Sequence, residues 1–106
     1  MNKDMRLVRI YLSEADHVGK HNLLAEIMKI LHDQHRVHGV TVFRGIAGFG
    51  SKGQVHSADL LRLTVKLPLV VEFFDTPEIV EQALAALGDL IPSGHLISWP
   101  VQCRIT

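Results

Sequence analysis

The chain has little of several features on which common protein functions depend. It contains a single cysteine, Cys103, so the sequence predicts neither an internal disulfide nor a zinc site built on cysteine. One cysteine fits a reducing compartment, and we expect a cytoplasmic protein. Lysine plus arginine and aspartate plus glutamate both number 11, so no long-range charge favours nucleic acid or an anionic membrane.

Long hydrophobic runs are also missing. The longest apolar stretch, residues 67–74, carries Glu72 and is far too short to span a bilayer. Residues 1–4 lack the apolar run of a signal peptide. The hydrophobic content of 47% still provides enough apolar side chain for one core, and we expect a single domain over residues 1–106.

Patterns typical of an active site are absent from the sequence. No serine lies in a Gly-x-Ser-x-Gly elbow, and Cys103 is predicted on the inward face of a strand. Glu14 and Asp16 form an acidic pair, but adjacent acids in a loop are normally solvated. We therefore expect a protein that is not an enzyme.

Histidine is frequent, with seven residues. The spacings His32-x-x-His35-x-x-His38 and His17-x-x-x-His21 could place two imidazoles on one side. No carboxylate or thiol completes a ligand set, so the sequence favours a solvated helix face over a metal site.

The hydrophobic pattern predicts the order strand, helix, strand, strand, helix, strand. Two right-handed crossovers of that kind build a ferredoxin-like βαββαβ sandwich, an α+β fold with an antiparallel four-stranded sheet and two helices on one face. Pro100 places the last strand at an edge. Residues 13–20 are predicted as a loop, and residues 57–66 stay open between a short helix and a strand extension. The predicted strands are residues 5–13, 38–44, 67–74 and 95–105; the helices are residues 22–37 and a segment from Asp75-Thr76-Pro77-Glu78 to Gly88.

The predicted sheet has apolar residues on both faces. Val70 and Phe74 point away from Leu69, Val71 and Phe73, and two helices cover only one face. Exposed apolar patches of this size mark an interface, and a closed homo-oligomer with its sheets turned inward covers them.

A glycine-rich loop, residues 45–58, follows the second strand. Glycines at positions 45, 48, 50 and 53 suggest backbone amides aimed at an anion or a loop that moves. Arg44 and Lys52 favour an anion, since a guanidinium can clamp a phosphate bidentately where a lone loop amide cannot. The pattern Gly-x-x-Gly-x-Gly is neither the dinucleotide fingerprint nor a Walker A motif, and a surface loop with nothing bound is the alternative. Phe49 either stacks on a purine or anchors the loop.

Three segments together resemble a known family. They are Arg-Ile-Tyr-Leu-Ser-Glu-x-Asp at residues 9–16, Val-Thr-Val-Phe-Arg-Gly-Ile-x-Gly-Phe-Gly at residues 40–50 and Leu-Pro-Leu-Val-Val-Glu-x-x-Asp at residues 67–75. Over almost its whole length the chain is similar to the small bacterial and archaeal family of uncharacterised PII-like proteins. It departs from the family at residues 20–23, where a proline more usually precedes the helix.

The resemblance implies a trimer in which nucleotides bind in clefts between subunits, beside the base of a mobile loop. It implies a signalling protein that binds ATP, ADP or AMP, whose loop contacts a partner, a membrane transporter or channel by analogy. Residues 88–94 are shorter than the second phosphate-binding loop of PII proteins and lack its basic residue, so phosphate recognition must differ. The nucleotide-binding residues implied are Arg44, Gly45, Gly48, Phe49, Gly50 and Lys52. The alternative is a trimeric metal-binding protein like the CutA proteins.

Overall fold

The computed structural model describes residues 1–35, 37–49, 55–57 and 66–106. The main sheet is antiparallel, and its strands lie in the order β2-β3-β1-β4. This arrangement confirms the ferredoxin-like α+β fold, including the prediction that the second and fourth strands are outermost. The strands are β1 (Asn2–Ser13), β2 (His38–Arg44), β3 (Pro68–Asp75) and β4 (Leu96–Arg104), and the helices are α1 (Leu23–Lys29) and α2 (Pro77–Leu87).

Both helices begin at side-chain caps. Asn22 accepts a hydrogen bond from the amide of Ala25, and Thr76 accepts one from the amide of Ile79. Helix α2 ends at Gly88 with φ of 46°, as its sequence predicts. The first helix differs from the predicted range of residues 22–37. Helix α1 ends at Lys29, and a π-helical segment, Ile30–His35, follows it. A short 3₁₀ segment, Gly88–Leu90, follows α2.

Among the described residues, two short hairpins lie outside the main sheet. His17–Val18 pairs with His21–Asn22, which corrects the prediction of a plain loop at residues 13–20. Gly19 makes this reversal possible with φ of 59°. The second hairpin, Ala47–Phe49 with Val55–Ser57, lies within the predicted glycine-rich loop. Most of the segment 57–66, whose structure the sequence left open, lies outside the described residues.

The core lies between the two helices and one face of the sheet. Alternate residues of β3 are buried, as the alternation of its sequence predicts, and the residues between them are half-buried. Among the described helices, none is long and apolar enough to cross a membrane. Cys103 was predicted on the inward face but is only partly buried on the outer strand β4. The buried core residues are Val8, Ile10, Leu12, Leu23, Ile27, Leu31, Leu69, Val71, Phe73, Val80, Ala83 and Leu87.

The opposite face of the sheet, which we call the open face, has no helix against it among the described residues. Strand pairing places four exposed apolar side chains on it: Tyr11, Phe43, Ile97 and Trp99, whose exposed fractions are 42%, 48%, 45% and 37%. This confirms that apolar residues occupy both faces.

An ion pair lies among these apolar side chains. Arg9 Nε donates to Glu72 Oε1 at 2.7 Å, and the Arg9 guanidinium carbon lies 5.8 Å from the centroid of the Trp99 ring. Hydrogen bonds to Glu72 and then to Tyr11 raise the pKa of Arg9 above its ordinary value. The open face therefore presents an apolar surface with one fixed charge pair.

Asp75 is the buried acidic residue of the described chain, with 6% of its surface exposed. Its carboxylate accepts hydrogen bonds from the amides of His38 at 2.6 Å and Thr76 at 2.7 Å. The start of β2, the end of β3 and the start of α2 are joined through this one side chain. Gly39 follows His38 in β2 at a strand irregularity, with φ of 73°.

We expect Asp75→Asn to lower the free energy of unfolding by about 1–3 kcal/mol, because the new amide group faces one of two buried donors and leaves it unsatisfied. Urea denaturation of the variant measures the change. Asp89→Asn, at an exposed position in the 3₁₀ segment, is the matched control. Equal stability of the two variants would contradict the role of Asp75.

Candidate functional site

The carboxyl ends of β1 and β2 meet the amino end of β3 at one end of the sheet. We call this arrangement of three strand ends the neck. The pairing of β1 with β3 runs to Ser13 opposite Pro68, and that of β2 with β3 runs to Arg44 opposite Leu69. The chain leaves the sheet at Arg44 and returns to it at Pro68. The neck is therefore the base of the predicted glycine-rich loop.

Backbone hydrogen bonds close the neck. The amide of Gly45 donates to the carbonyl of Pro68 at 2.7 Å, and the amide of Glu14 donates to the carbonyl of Leu67 at 3.0 Å. The Gly45 amide is thus bonded within the chain in this structure and is not aimed at an anion, contrary to what the glycine pattern suggests.

A bidentate ion pair spans the neck. Arg44 Nε donates to Glu14 Oε1 at 2.9 Å, and Arg44 Nη2 donates to Glu14 Oε2 at 3.3 Å. Glu14 Oε1 also accepts from the amide of Leu67 at 2.9 Å. The Arg44 side chain is 59% exposed and that of Glu14 only 26%. One carboxylate therefore connects the ends of β1 and β2 to the residue that precedes β3.

These hydrogen bonds determine the ionisation of Glu14. The bond from Arg44, and next the bond from the Leu67 amide, hold the pKa of the Glu14 carboxyl below its ordinary value. The charge of Lys66 acts in the same direction. Glu14 is therefore ionised at neutral pH, as a strong partner for Arg44.

The turn after β1 holds Glu14 in position. Asp16 Oδ2 accepts from the amide of Ser13 at 2.9 Å, and the carbonyl of Asp16 accepts from the amide of Leu23 at 3.0 Å. The expectation that Glu14 and Asp16 are merely solvated acids is therefore wrong, because both carboxylates bond within the chain. A local pattern did not reveal this, since the partner of Glu14 lies 30 residues away.

Pro68 leaves little room for a side chain at positions 45 and 48, which are both glycine. A Cβ atom at Gly45 would lie 2.7 Å from Pro68 Cγ, and one at Gly48 would lie 3.3 Å from the same atom. Neither glycine has the positive φ found at Gly19 and Gly39. Close approach to a proline ring accounts for both glycines without a ligand.

The structure brings together part of the predicted nucleotide site. Arg44, Gly45 and Gly48 lie around Pro68 at the neck. Phe49 continues the short hairpin opposite Val55. Gly50 and Lys52 lie outside the described residues, so the nucleotide-binding role of the whole set stays a prediction. Sequence reasoning missed Glu14 and Pro68 as parts of this site, although both lie in the segments that resemble the PII-like family.

The histidine pairs do not form a metal centre within the described part of the chain. His17 pairs with Asn22 and His21 with Val18, so the two imidazoles leave opposite faces of the hairpin. His32 Nδ1 lies 2.8 Å from Asp33 Oδ1. No group of three or more histidine, cysteine or acidic side chains suited to a metal ion occurs among the residues that the structure describes.

The sequence of this chain matches a known protein family. Residues 5–103 match the model of the family DUF190, described as "Uncharacterized ACR". A UPF0166 protein of Methanocaldococcus jannaschii is 36% identical over 92 residues, which are 87% of this chain and 83% of that protein.

Two solved structures illustrate the similarity in fold. One is CPII, a nitrogen regulatory PII-like protein from Thiomonas intermedia K12 bound to ADP, AMP and bicarbonate. It superposes with a TM-score of 0.68 at 17% identity and covers 98% of this chain and 99% of its own. The other is the divalent ion tolerance protein CutA1 from Ehrlichia chaffeensis, with a TM-score of 0.57, 11% identity and coverage of 96% and 83%. The fold is therefore PII-like.

Because Pro68 leaves no room for a methyl group, we expect Gly45→Ala to lower the free energy of unfolding by about 1–3 kcal/mol. Pro68→Ala removes the Cγ atom that causes the clash. The cost of Gly45→Ala should therefore be smaller in the Pro68→Ala background, as measured by chemical denaturation of the two single variants and the double variant. Additive effects would show that Pro68 is not the cause.

The Glu14 pair should make stability depend on pH. Since the folded state holds the Glu14 pKa below its ordinary value of 4.5, the unfolded chain binds more protons between the two values, and stability rises with pH there. The contribution, less than about 1 kcal/mol for a partly exposed pair, is complete above the unfolded pKa. It is lost as pH falls through the folded pKa.

Urea denaturation of the unaltered protein and of Glu14→Gln from about pH 3 to pH 6 measures this dependence. The stability difference between the two proteins should shrink as the pH falls below 4.5. A difference independent of pH would show that the carboxylate charge adds nothing.

Proposed function

The chain belongs to the DUF190 (UPF0166) family, and on this premise we propose that it is a PII-like signalling protein that binds an adenine nucleotide between the subunits of a homotrimer. Arg44 carries the proposal. Its side chain is more than half exposed at the neck, and two of its guanidinium nitrogens already hold a carboxylate. A group that holds one oxyanion in this way is suited to hold a phosphate. The ADP and AMP bound to CPII, which has the same fold, support an adenine nucleotide as the ligand.

The open face supports the trimer. Tyr11, Phe43, Ile97 and Trp99 expose apolar surface on the side of the sheet away from the core, and assembly of three copies through their sheets would remove that surface from water. The Arg9–Glu72 pair would enter such an interface already neutralised by its own hydrogen bond. Burial of a satisfied pair costs less than burial of an unpaired charge.

The residues around Arg44 have different parts in this proposal. Arg44 contacts a phosphate, helped by Lys52 and by the amides of Gly48 and Gly50, while Phe49 stacks on the base or anchors the loop. Gly45 contributes space, because its amide is bonded to Pro68 and any side chain would meet the proline ring. This assignment replaces the anion-binding amide that the sequence suggested at position 45.

The proposed activity is regulation without catalysis, in the cytoplasm. Nucleotide binding at the base of the loop, residues 45–58, would change the surface that the loop shows to a partner. By analogy with PII proteins, the proposed partner is a membrane transporter or channel. This analogy rests on similarity to those proteins and not on the residues of the site.

Isothermal titration calorimetry with ATP, ADP and AMP tests the proposal. We expect at least one of them to bind the unaltered protein, and we expect Arg44→Ala to weaken binding roughly 10- to 100-fold, because a charged hydrogen-bond partner of phosphate is lost. Lys29→Ala removes an exposed cation at the end of α1 and should leave the affinity unchanged.

Sedimentation of the same samples should give the mass of a trimer. Equal loss of nucleotide affinity in Arg44→Ala and Lys29→Ala would show that the overall positive charge of the protein, and not the neck, determines binding. Zinc binding that disappears in His35→Ala, without any nucleotide binding, would instead support a CutA-like metal-binding protein.

A further inference from the structure

The Glu14 carboxylate lies where a phosphate on Arg44 would lie. Its two oxygens accept from Nε and Nη2, which form one of the guanidinium edges that can clamp an oxyanion bidentately. Two anions cannot share that edge. Resting on the nucleotide function proposed above, we propose that Glu14 is an internal competitor, so that a nucleotide phosphate occupies this edge of Arg44 only by displacing the Glu14 carboxylate.

The structure makes this exchange inexpensive. After release from Arg44, Glu14 Oε1 keeps the hydrogen bond from the amide of Leu67, which lies 2.9 Å away. The positive charge of Lys66 also continues to act on the carboxylate. The carboxylate is therefore not left unpaired, and a partly exposed ion pair is weak enough to exchange.

The charged groups facing Glu14 come from each element at the neck. Arg44 lies at the end of β2, Lys66 lies just before β3, and Asp16 lies in the same turn but is bonded to the amide of Ser13. The carboxylate that competes for Arg44 is thus that of Glu14 and not that of Asp16.

An internal competitor leaves a recognisable thermodynamic signature. The apparent dissociation constant is the intrinsic one divided by the fraction of molecules in which Arg44 is released. Every ligand that needs Arg44 carries the same penalty. A ligand that binds without a phosphate, such as adenosine, carries none.

Glu14→Gln tests the competition. Glutamine has the same length and keeps an oxygen for the Leu67 amide, but it lacks the charge that holds Arg44. We expect ATP to bind Glu14→Gln more tightly than the unaltered protein by up to about fivefold, as a partly exposed ion pair worth at most about 1 kcal/mol implies, while adenosine affinity stays the same. Glu81→Gln, at an exposed position on α2, is the matched control and should change neither affinity.

A double-mutant cycle links the gain to Arg44. In the Arg44→Ala background, Glu14→Gln should bring no tightening, because no guanidinium remains to be released. Should Glu14→Gln fold poorly, Glu14→Asp serves instead, since the shorter side chain cannot hold both nitrogens and should give a smaller gain.

The outcomes separate the two proposals. Tighter ATP binding by Glu14→Gln than by the unaltered protein supports the competitor. ATP binding by Glu14→Gln when none is detected for the unaltered protein supports it as well. Equal ATP affinities, together with a loss in Arg44→Ala, overturn the competitor and leave the nucleotide function standing. A parallel gain for adenosine also overturns it. Absence of ATP, ADP and AMP binding in every variant overturns both.

Discussion

The structure depends on strand β3, which is paired on both sides. Its neighbours β1 and β2 run antiparallel to it, so their carboxyl ends meet its amino end. One face of β3 supplies Leu69, Val71 and Phe73 to the core. Because the pairing fixes both faces and both ends at once, it brings Glu14 and Arg44 together although they are far apart in sequence.

The same pairing divides the apolar residues between two environments. Helices α1 and α2 bury one face of the sheet, while the other keeps Tyr11, Phe43, Ile97 and Trp99 partly exposed. A strand with apolar residues on both faces needs cover on both. The chain supplies only one cover among the described residues, which is why a second copy is the natural candidate for the other.

The sequence predicted what depends on local pattern. Alternation in residues 67–74 identified the central strand, Pro77 marked the start of α2, and Gly88 its end. Helix one was predicted too long because the apolar spacing continues into the π-helical segment Ile30–His35. The short hairpin at His17 was missed since two-residue strands carry no periodicity.

The site was predictable only in part, because glycine has more than one use. A glycine allows positive φ, close approach of a ligand, or close approach of another part of the chain, and the sequence does not distinguish them. At Gly45 the third use applies, and the neighbour is Pro68. Likewise, Glu14 reads as a solvated acid until pairing of β1 and β2 with β3 places it against Arg44.

A sensor gains from holding its anion site closed with a group of its own. An exposed arginine binds any abundant anion weakly, whereas one that already holds a carboxylate responds only to a ligand whose total binding free energy exceeds that of the internal pair. In the proposed sensor, the strength of the Glu14–Arg44 pair would set the ligand concentration at which the protein responds. That strength is tuned by how far the pair is exposed, and here Arg44 is 59% exposed and Glu14 26%. A single carboxylate at the base of the loop thus relates the geometry of the neck to the range over which a nucleotide signal would be read.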